Sequence, residues 1–195
     1  DAATLKFNTV PVTFNTKKNY YQTVTKTWGI DQLFQLLVKN SKPDQYIYVF
    51  SIDENRKATI HFPRNEQFQN STFGFNETPL VSITNAEIII PSAETAFSIG
   101  QEGTDWLVVL YSKNKINHLS KIISKVKDEN DLGMMYNLLS YEFNQRGLAP
   151  NSIQYMPNKM SFSTQVKNDE IIPIILRVDS KAKVDNPSII ESNED

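Results

Sequence analysis

The sequence predicts an α+β fold: a mostly antiparallel β-sheet or sandwich core, two amphipathic helices and a C-terminal β-hairpin. Three observations predict it. β-friendly runs fill residues 10–112, the apolar period changes from two to three-and-four between 116 and 143, and β pattern returns over 160–178. Strands, then helices, then strands again is the order of an α+β domain and not of alternating βαβ units. A chain of 195 residues is long enough to hold a core without staples, because roughly two-thirds of its surface leaves water on folding. No linker long enough to divide the chain is visible. Residues 1–179 therefore read as a single domain, with 29–116 as β core, 117–146 as two helices, 160–178 as terminal hairpin and 180–195 as a flexible polar tail.

Taken in order, Val10, Val12 and Phe14 alternate, and Pro11 inside that run removes a ladder donor, which assigns the strand to an edge. Residues 20–28 continue in β-friendly composition. Residues 32–39 (QLFQLLVK) suit a buried strand or a short helix; the turn cluster Asn40-Ser41-Lys42-Pro43-Asp44, followed by another strand, favours a first hairpin strand. The run QYIYVFSID (45–53) places Tyr46, Tyr48, Phe50 and Ile52 on one face and Ile47 and Val49 on the other. Apolar residues on both faces predict a central strand covered on both sides. Asp53-Glu54-Asn55-Arg56 turns the chain into Ala58, Ile60 and Phe62, and Pro63 ends this hairpin. Residues 64–80 read as an irregular, Asn-rich loop, followed by β segments at 86–91 and 96–99, a turn over 100–104 and a buried strand, DWLVVLYS, at 105–112.

Ile116, Leu119, Ile122, Ile123 and Val126 then form one apolar helical stripe, with Lys121 and Lys125 on the opposite face. Leu132, Met135, Tyr136, Leu139 and Phe143 form the stripe of a second helix over 131–146, stopped by Gly147 and Pro150. MSFSTQVK (160–167), a turn at Asn168-Asp169-Glu170 and IIPIILRV (171–178) complete the expected terminal hairpin.

Composition excludes several classes of function. Lys and Arg number 20 against 22 Asp and Glu, a net charge of −2 that argues against an electrostatic nucleic-acid binder. The absence of cysteine excludes disulfides, thiolate zinc sites, iron–sulfur clusters and cysteine nucleophiles. No apolar run approaches the roughly 20 residues of a membrane span. The first residues, Asp1-Ala2-Ala3-Thr4-Leu5-Lys6, lack the basic end and apolar stretch of a signal peptide. The missing initiator methionine suggests a mature or excised fragment whose parent could be exported.

Reactive constellations are scarce. His61 and His118 are the two histidines, and neither belongs to an HxxxH, HxH or HExxH pattern, so they read as a hairpin residue and a helix first-turn residue, with no metal or cofactor implied. No G-x-S-x-G elbow positions a serine, and a Ser–Lys arrangement would require a buried lysine. Phosphate loops are missing, and Glu102 between Gly100 and Gly103 would repel a phosphate. The acidic clusters Asp53-Glu54-Asn55 and Asp128-Glu129-Asn130-Asp131 lack the spacing that wraps calcium; the second reads as a cap, Asn130 or Asp131, on the second helix. A hydrolase acting on glycan or peptide through a carboxylate pair stays open as the alternative, although 22 acids single out no pair. Trp28 and Trp106 read as core. The candidate interaction set is Arg64, Phe68, Phe73 and Phe75, in which rings interleaved with polar residues either meet a protein partner or plug the end of the sandwich.

Four segments in order carry a family resemblance: QYIYVFSID, TIHFP (59–63), EIIIPS (87–92) and GTDWLVVLYSK (103–113), with VKNSKP (38–43) ahead of them. Over roughly residues 29–116 the chain is similar to the bacterial family called domain of unknown function 4384. Members show a YVYVF-x-ID strand, a following LFP, an apolar strand ending in proline, and Gly-Thr before a strand ending in Ser-Lys or Thr-Lys. The helices and last strands resemble the extension of Bacteroidetes-type members more loosely. Two departures stand out: His61 replaces the usual Leu, and Asn55-Arg56 replaces a glycine turn. The resemblance implies an accessory module, often joined to caspase-like peptidases, kinases or surface proteins. The expectation is a non-catalytic, extracytoplasmic binding module (periplasmic, cell-surface or secreted) with a protein partner or attached domains. It uses a sheet edge or the 64–80 loop. A structural spacer, with its ends at opposite poles, is the third possibility.

Overall fold

The computed structural model describes residues 9–25, 28–30, 32–64, 77–143, 152–164 and 171–181. The strands are β1 (Val12–Asn15), β2 (Tyr20–Thr23), β3 (Trp28–Gly29), β4 (Leu36–Lys39), β5 (Gln45–Ile52), β6 (Ala58–Phe62), β7 (Leu80–Val81), β8 (Glu87–Ile90), β9 (Gly103–Ser112), β10 (Gln154–Tyr155), β11 (Phe162–Ser163) and β12 (Ile171–Lys181); the helices are α1 (Leu119–Lys127) and α2 (Met135–Glu142). The fold is α+β. Its main sheet runs β1-β2-β12-β9-β5-β6, with β3 beside β12 and β7 beside β5, while β4–β8 and β10–β11 form two small ribbons. Most pairings are antiparallel, but β12 lies parallel to β2 and β3, so the sheet is mixed.

The clearest strand behaves as its pattern demands. On β5 both Tyr48 and Phe50, and on the other face both Ile47 and Val49, are buried. The register with β9 sets Tyr48 against Leu110 and Ile47 against Tyr111, so each face of the sheet continues across both strands. One face receives the helices. The Ile116 N–H donates to the Tyr48 hydroxyl at 3.0 Å, which fixes the approach to α1. Leu119, Ile123 and Val126 of α1, with Met135, Tyr136 and Leu139 of α2, turn inward and are buried, the burial expected of apolar residues three and four apart. The opposite face receives the ribbons: the Tyr111 hydroxyl donates to the Lys39 carbonyl at 3.0 Å, and its ring meets Phe162 edge-on at 5.3 Å.

β1 is an edge strand, and its Phe14 N–H is taken by the Pro157 carbonyl at 2.9 Å. Other pairings differ from the expected ones. The 32–39 strand shortens to Leu36–Lys39 and pairs with β8, not with β5; Phe34 makes only a bridge to Phe97, which is also all that remains of the 96–99 strand. Leu36, Val38 and Ile90 need an apolar face to bury against, and β5 already has β9 on one side and β6 and β7 on the other. The expected pairing of 160–167 with 171–178 is also replaced. β11 makes its short antiparallel pair with β10, while β12 enters the main sheet between β2 and β9. A strand buried on both faces, like IIPIILRV, requires a central position that a terminal two-stranded hairpin cannot provide. β12 also continues to Lys181, with Ser180 buried and its hydroxyl on the Gln101 carbonyl at 2.8 Å. Gly147, Pro150 and the tail beyond Lys181 lie outside the described residues.

Candidate functional site

A polar hollow of about 250 Å³ opens at one end of the main sheet, walled by the β5–β6 turn, the start of β9, the turn before α2 and Arg177 of β12. Its charged groups are built in from the backbone outward. Arg56 occupies the left-handed region at φ 62°, the place where a glycine is usual in such turns. Its guanidinium donates to the Lys127, Glu129 and Asn130 carbonyls at 3.2, 2.6 and 3.3 Å, which ties the β5–β6 turn to the last residue of α1 and to the turn that follows it. Glu54 lies over Gly103 and accepts the Thr104 N–H at 2.6 Å.

Across the hollow, the Thr104 hydroxyl donates to Asp179 Oδ1 at 2.7 Å, and Arg177 Nε donates to the same oxygen at 3.0 Å. Arg177 also donates to the Tyr20 hydroxyl at 3.2 Å and stands 5.8 Å from the Trp106 ring. Asp131 accepts the Gly133 N–H at 2.8 Å and caps the 3-10 turn that leads into α2, the role its position in the acidic cluster predicts. Asp53 accepts the Lys57 N–H at 2.8 Å. All five charged lining residues, Asp53, Glu54, Arg56, Asp131 and Arg177, are thus bonded to other groups of the fold. Among the described residues no three or more His, Asp or Glu side chains converge as metal ligands do.

Asp105 is the exception among the acids at this end of the sheet. Its Oδ2 is buried with no hydrogen-bond partner. Burial first, then the Asp53 and Glu54 carboxylates, push its pKa up to about 6.

On the same face as Asp105, the Ser51 hydroxyl meets His61 Nε2 at 2.7 Å. His61 stands diagonal to Ser51 on one face of the β5–β6 pair, beside a β-bulge where Val49 pairs with Phe62 while Phe50 pairs with Ile60. The edge of the imidazole packs against Phe97 at 4.8 Å, and burial lowers its pKa to about 4, so the ring is neutral at pH 7. A serine beside a neutral imidazole has the elements of a nucleophile and base, but such a pair also needs a group orienting the ring. Among the described residues no carboxylate is bonded to His61. The contact ties β5 to β6 across the strand pair and gives the imidazole a polar partner. His118, exposed, sits at φ 59° before α1, where its carbonyl accepts the Lys121 and Ile122 N–H groups.

Of the sequence-derived interaction set, Phe68, Phe73 and Phe75 lie outside the described residues. Arg64 is a brace: its N–H and its Nε bond Glu77 at 2.8 and 2.9 Å, and one guanidinium nitrogen bonds the Pro91 carbonyl at 2.8 Å. Residues 64 and 77, the two ends of the intervening segment, are tied together. Set against family models, curated proteins and solved structures, the chain matches none of them.

Proposed function

We propose that this chain is a non-catalytic accessory or binding module of a bacterial envelope or secreted protein, akin to the family it resembles, and that it recognises a protein partner through outer strand β6 and the adjoining 64–80 segment. The observation carrying this reading is that every charged side chain walling the hollow is committed to a bond within the fold. A hydrolase needs a carboxylate poised for a substrate proton, whereas Asp53, Glu54 and Asp131 hold backbone N–H groups. Among the described residues β6 pairs with β5 alone and ends the sheet order, the arrangement to which an extended peptide can add a strand.

The path of the chain favours a pendant module over an in-line spacer. Val12 pairs with Thr23, and β12 runs parallel to β2, so the start of β1 and the end of β12 lie at the same end of the sheet. Thr13 and Arg177, which flank Gln22 in the sheet, are two strand spacings apart, about 10 Å. Two measurements test the reading. A panel of chromogenic esters, glycosides, phosphoesters and peptides gives no saturable turnover; turnover abolished by Glu54→Gln overturns it. Extended peptides selected from a displayed random library protect the amides of residues 58–62 from exchange, and Ile60→Pro abolishes that binding. Selected peptides that leave those amides unprotected refute recognition by β6.

A further inference from the structure

Asp105 stands on the sheet face opposite Trp106, near the start of β9. From β12 it faces Val178; the charged neighbours of that residue, Arg177 and Asp179, project to the other face and pair with each other at 2.9 Å. On its other side β5 ends with Ile52 opposite Trp106, and Asp53 follows alongside Asp105. Glu54, next in the turn, bends back over Gly103 to the Thr104 N–H. The β5–β6 turn thus rests on the start of β9, and the charges acting on Asp105 are those of Asp53 and Glu54.

The three carboxyl groups are not equivalent. Asp53 accepts the Lys57 N–H and Glu54 accepts the Thr104 N–H, so each of these two carboxylates has a backbone donor. Asp105 has a buried oxygen with no donor. A buried acceptor of this kind calls for an explanation, and a proton supplies one: it removes the charge of Asp105 beside the Asp53 and Glu54 carboxylates and with it the cost of desolvating that charge. We propose that Asp105 is the proton-binding element of an acid-responsive latch, with the β5–β6 turn held against β9 when Asp105 is protonated and loosened when it ionises.

Burial and the two neighbouring carboxylates raise the Asp105 pKa in the folded chain to about 6, above its ordinary value. The folded form therefore gains stability as pH falls through about 6, and loses that gain as pH rises back through it. The latch sets how firmly β6 is presented, whatever β6 binds, and its test requires no partner.

Carbon-13 NMR of the Asp105 carboxyl follows the titration in the intact chain. Its midpoint falls near pH 6, and Asp53→Asn moves it downward. Hydrogen exchange, corrected for the intrinsic rate, shows protection of amides 53–58 dropping on the order of tenfold from pH 5 to 7.5, the change expected when the range starts about one pH unit below the folded pKa. Asp105→Asn holds that protection constant. A midpoint in the ordinary carboxylate range overturns the proposal, as does protection that is equal at the two pH values in the wild type. Millimolar magnesium or calcium that moves the Asp105 signal at pH 7.5 and restores protection also overturns it, since a cation would then occupy the place assigned to the proton. The wild-type titration decides the matter even if a variant fails to fold.

Discussion

Replacing Gly103 by alanine tests why Gly-Thr heads β9. Gly103 adopts φ 139°, and a Cβ there would lie 2.5 Å from Glu54 Oε2 and 2.6 Å from its Cδ, contacts that side chains do not make. Glu54 must then leave the Thr104 N–H it accepts at 2.6 Å. The strained backbone costs about 1 kcal/mol. The lost charge-assisted bond would cost about 1.5–3 kcal/mol if buried, but Glu54 is exposed and water can replace it, leaving about 1 kcal/mol. Gly103→Ala should therefore cost about 2 kcal/mol and Glu54→Ala about 1 kcal/mol. The double variant should cost about 2 kcal/mol and not the sum, because the bond can be lost only once. The cycle is measured by urea unfolding at pH 5, where Asp105 is largely protonated and removal of a neighbouring carboxylate matters least. Costs that add, or a neutral Gly103→Ala, would refute the account of this turn.

Substitutions at two further positions, Arg56 and His61, follow from the same end of the sheet and the adjoining Ser51–His61 contact. Arg56→Ala removes the bonds to the Lys127, Glu129 and Asn130 carbonyls while keeping a side chain at φ 62°, and should cost about 1–2 kcal/mol. Arg56→Gly loses the same bonds but relieves the backbone, so it should unfold at higher urea than Arg56→Ala; the reverse order would show that the left-handed backbone at residue 56 carries no strain. His61→Leu should alter the acid limb of a stability–pH profile. Burial depresses the His61 pKa to about 4, so charging this ring favours the unfolded chain and stability is lost as pH falls from about 6.5 towards 4. That shift corresponds to at most about 3 kcal/mol, reduced to about 1–2 by the partial exposure of the ring. Asp105 acts in the opposite direction over much of this interval, so the wild type stays nearly flat and His61→Leu gains stability in acid. Parallel profiles for the two proteins would sink the argument.

How much could be read from the residues alone depended on the range of the interaction. Periodicity is local, so β5, β9, both helix stripes and the edge position of β1 were legible. Choice of partner is not local. Sequential strands often pair, and that expectation led 32–39 towards β5 and 160–167 towards 171–178. The buried faces of Leu36–Lys39 and Ile171–Lys181 instead found β8 and the β2–β9 gap. The polar end of the sheet was hidden for the same reason, since Glu54, Asp105 and Arg177 are far apart in sequence. One local sign was visible: Asn55-Arg56 stands where a glycine turn is usual, and the structure shows that Arg56 accepts a left-handed backbone while its guanidinium reaches the end of α1. Ser51 and His61 gave no such sign. They stand diagonal to one another on one face of the β5–β6 pair, and nothing in the alternation singles this contact out from its same-face neighbours.

The position of β12 has a consequence for the whole chain. It pairs with β9 from Ile171 to Ser180 and with β2 at Leu176 and Arg177, so it joins the N-terminal strands to the rest of the sheet. Ile171, Ile172, Ile174, Ile175, Leu176 and Val178 are all buried along it. At about 1.5–3 kcal/mol for each buried side chain, these six account for about 9–18 kcal/mol, comparable with the whole stability of a typical domain, about 5–15 kcal/mol. A chain ending at residue 170 should therefore show no cooperative urea transition, because β1–β2 loses its attachment and β9 acquires an open apolar edge. Retention of a cooperative transition with near-native circular dichroism would show that β12 is a cover and not the keystone of the sheet. The same topology orders folding: the last described strand completes the middle of the sheet, so long-range pairing must wait until the segment after residue 170 is available.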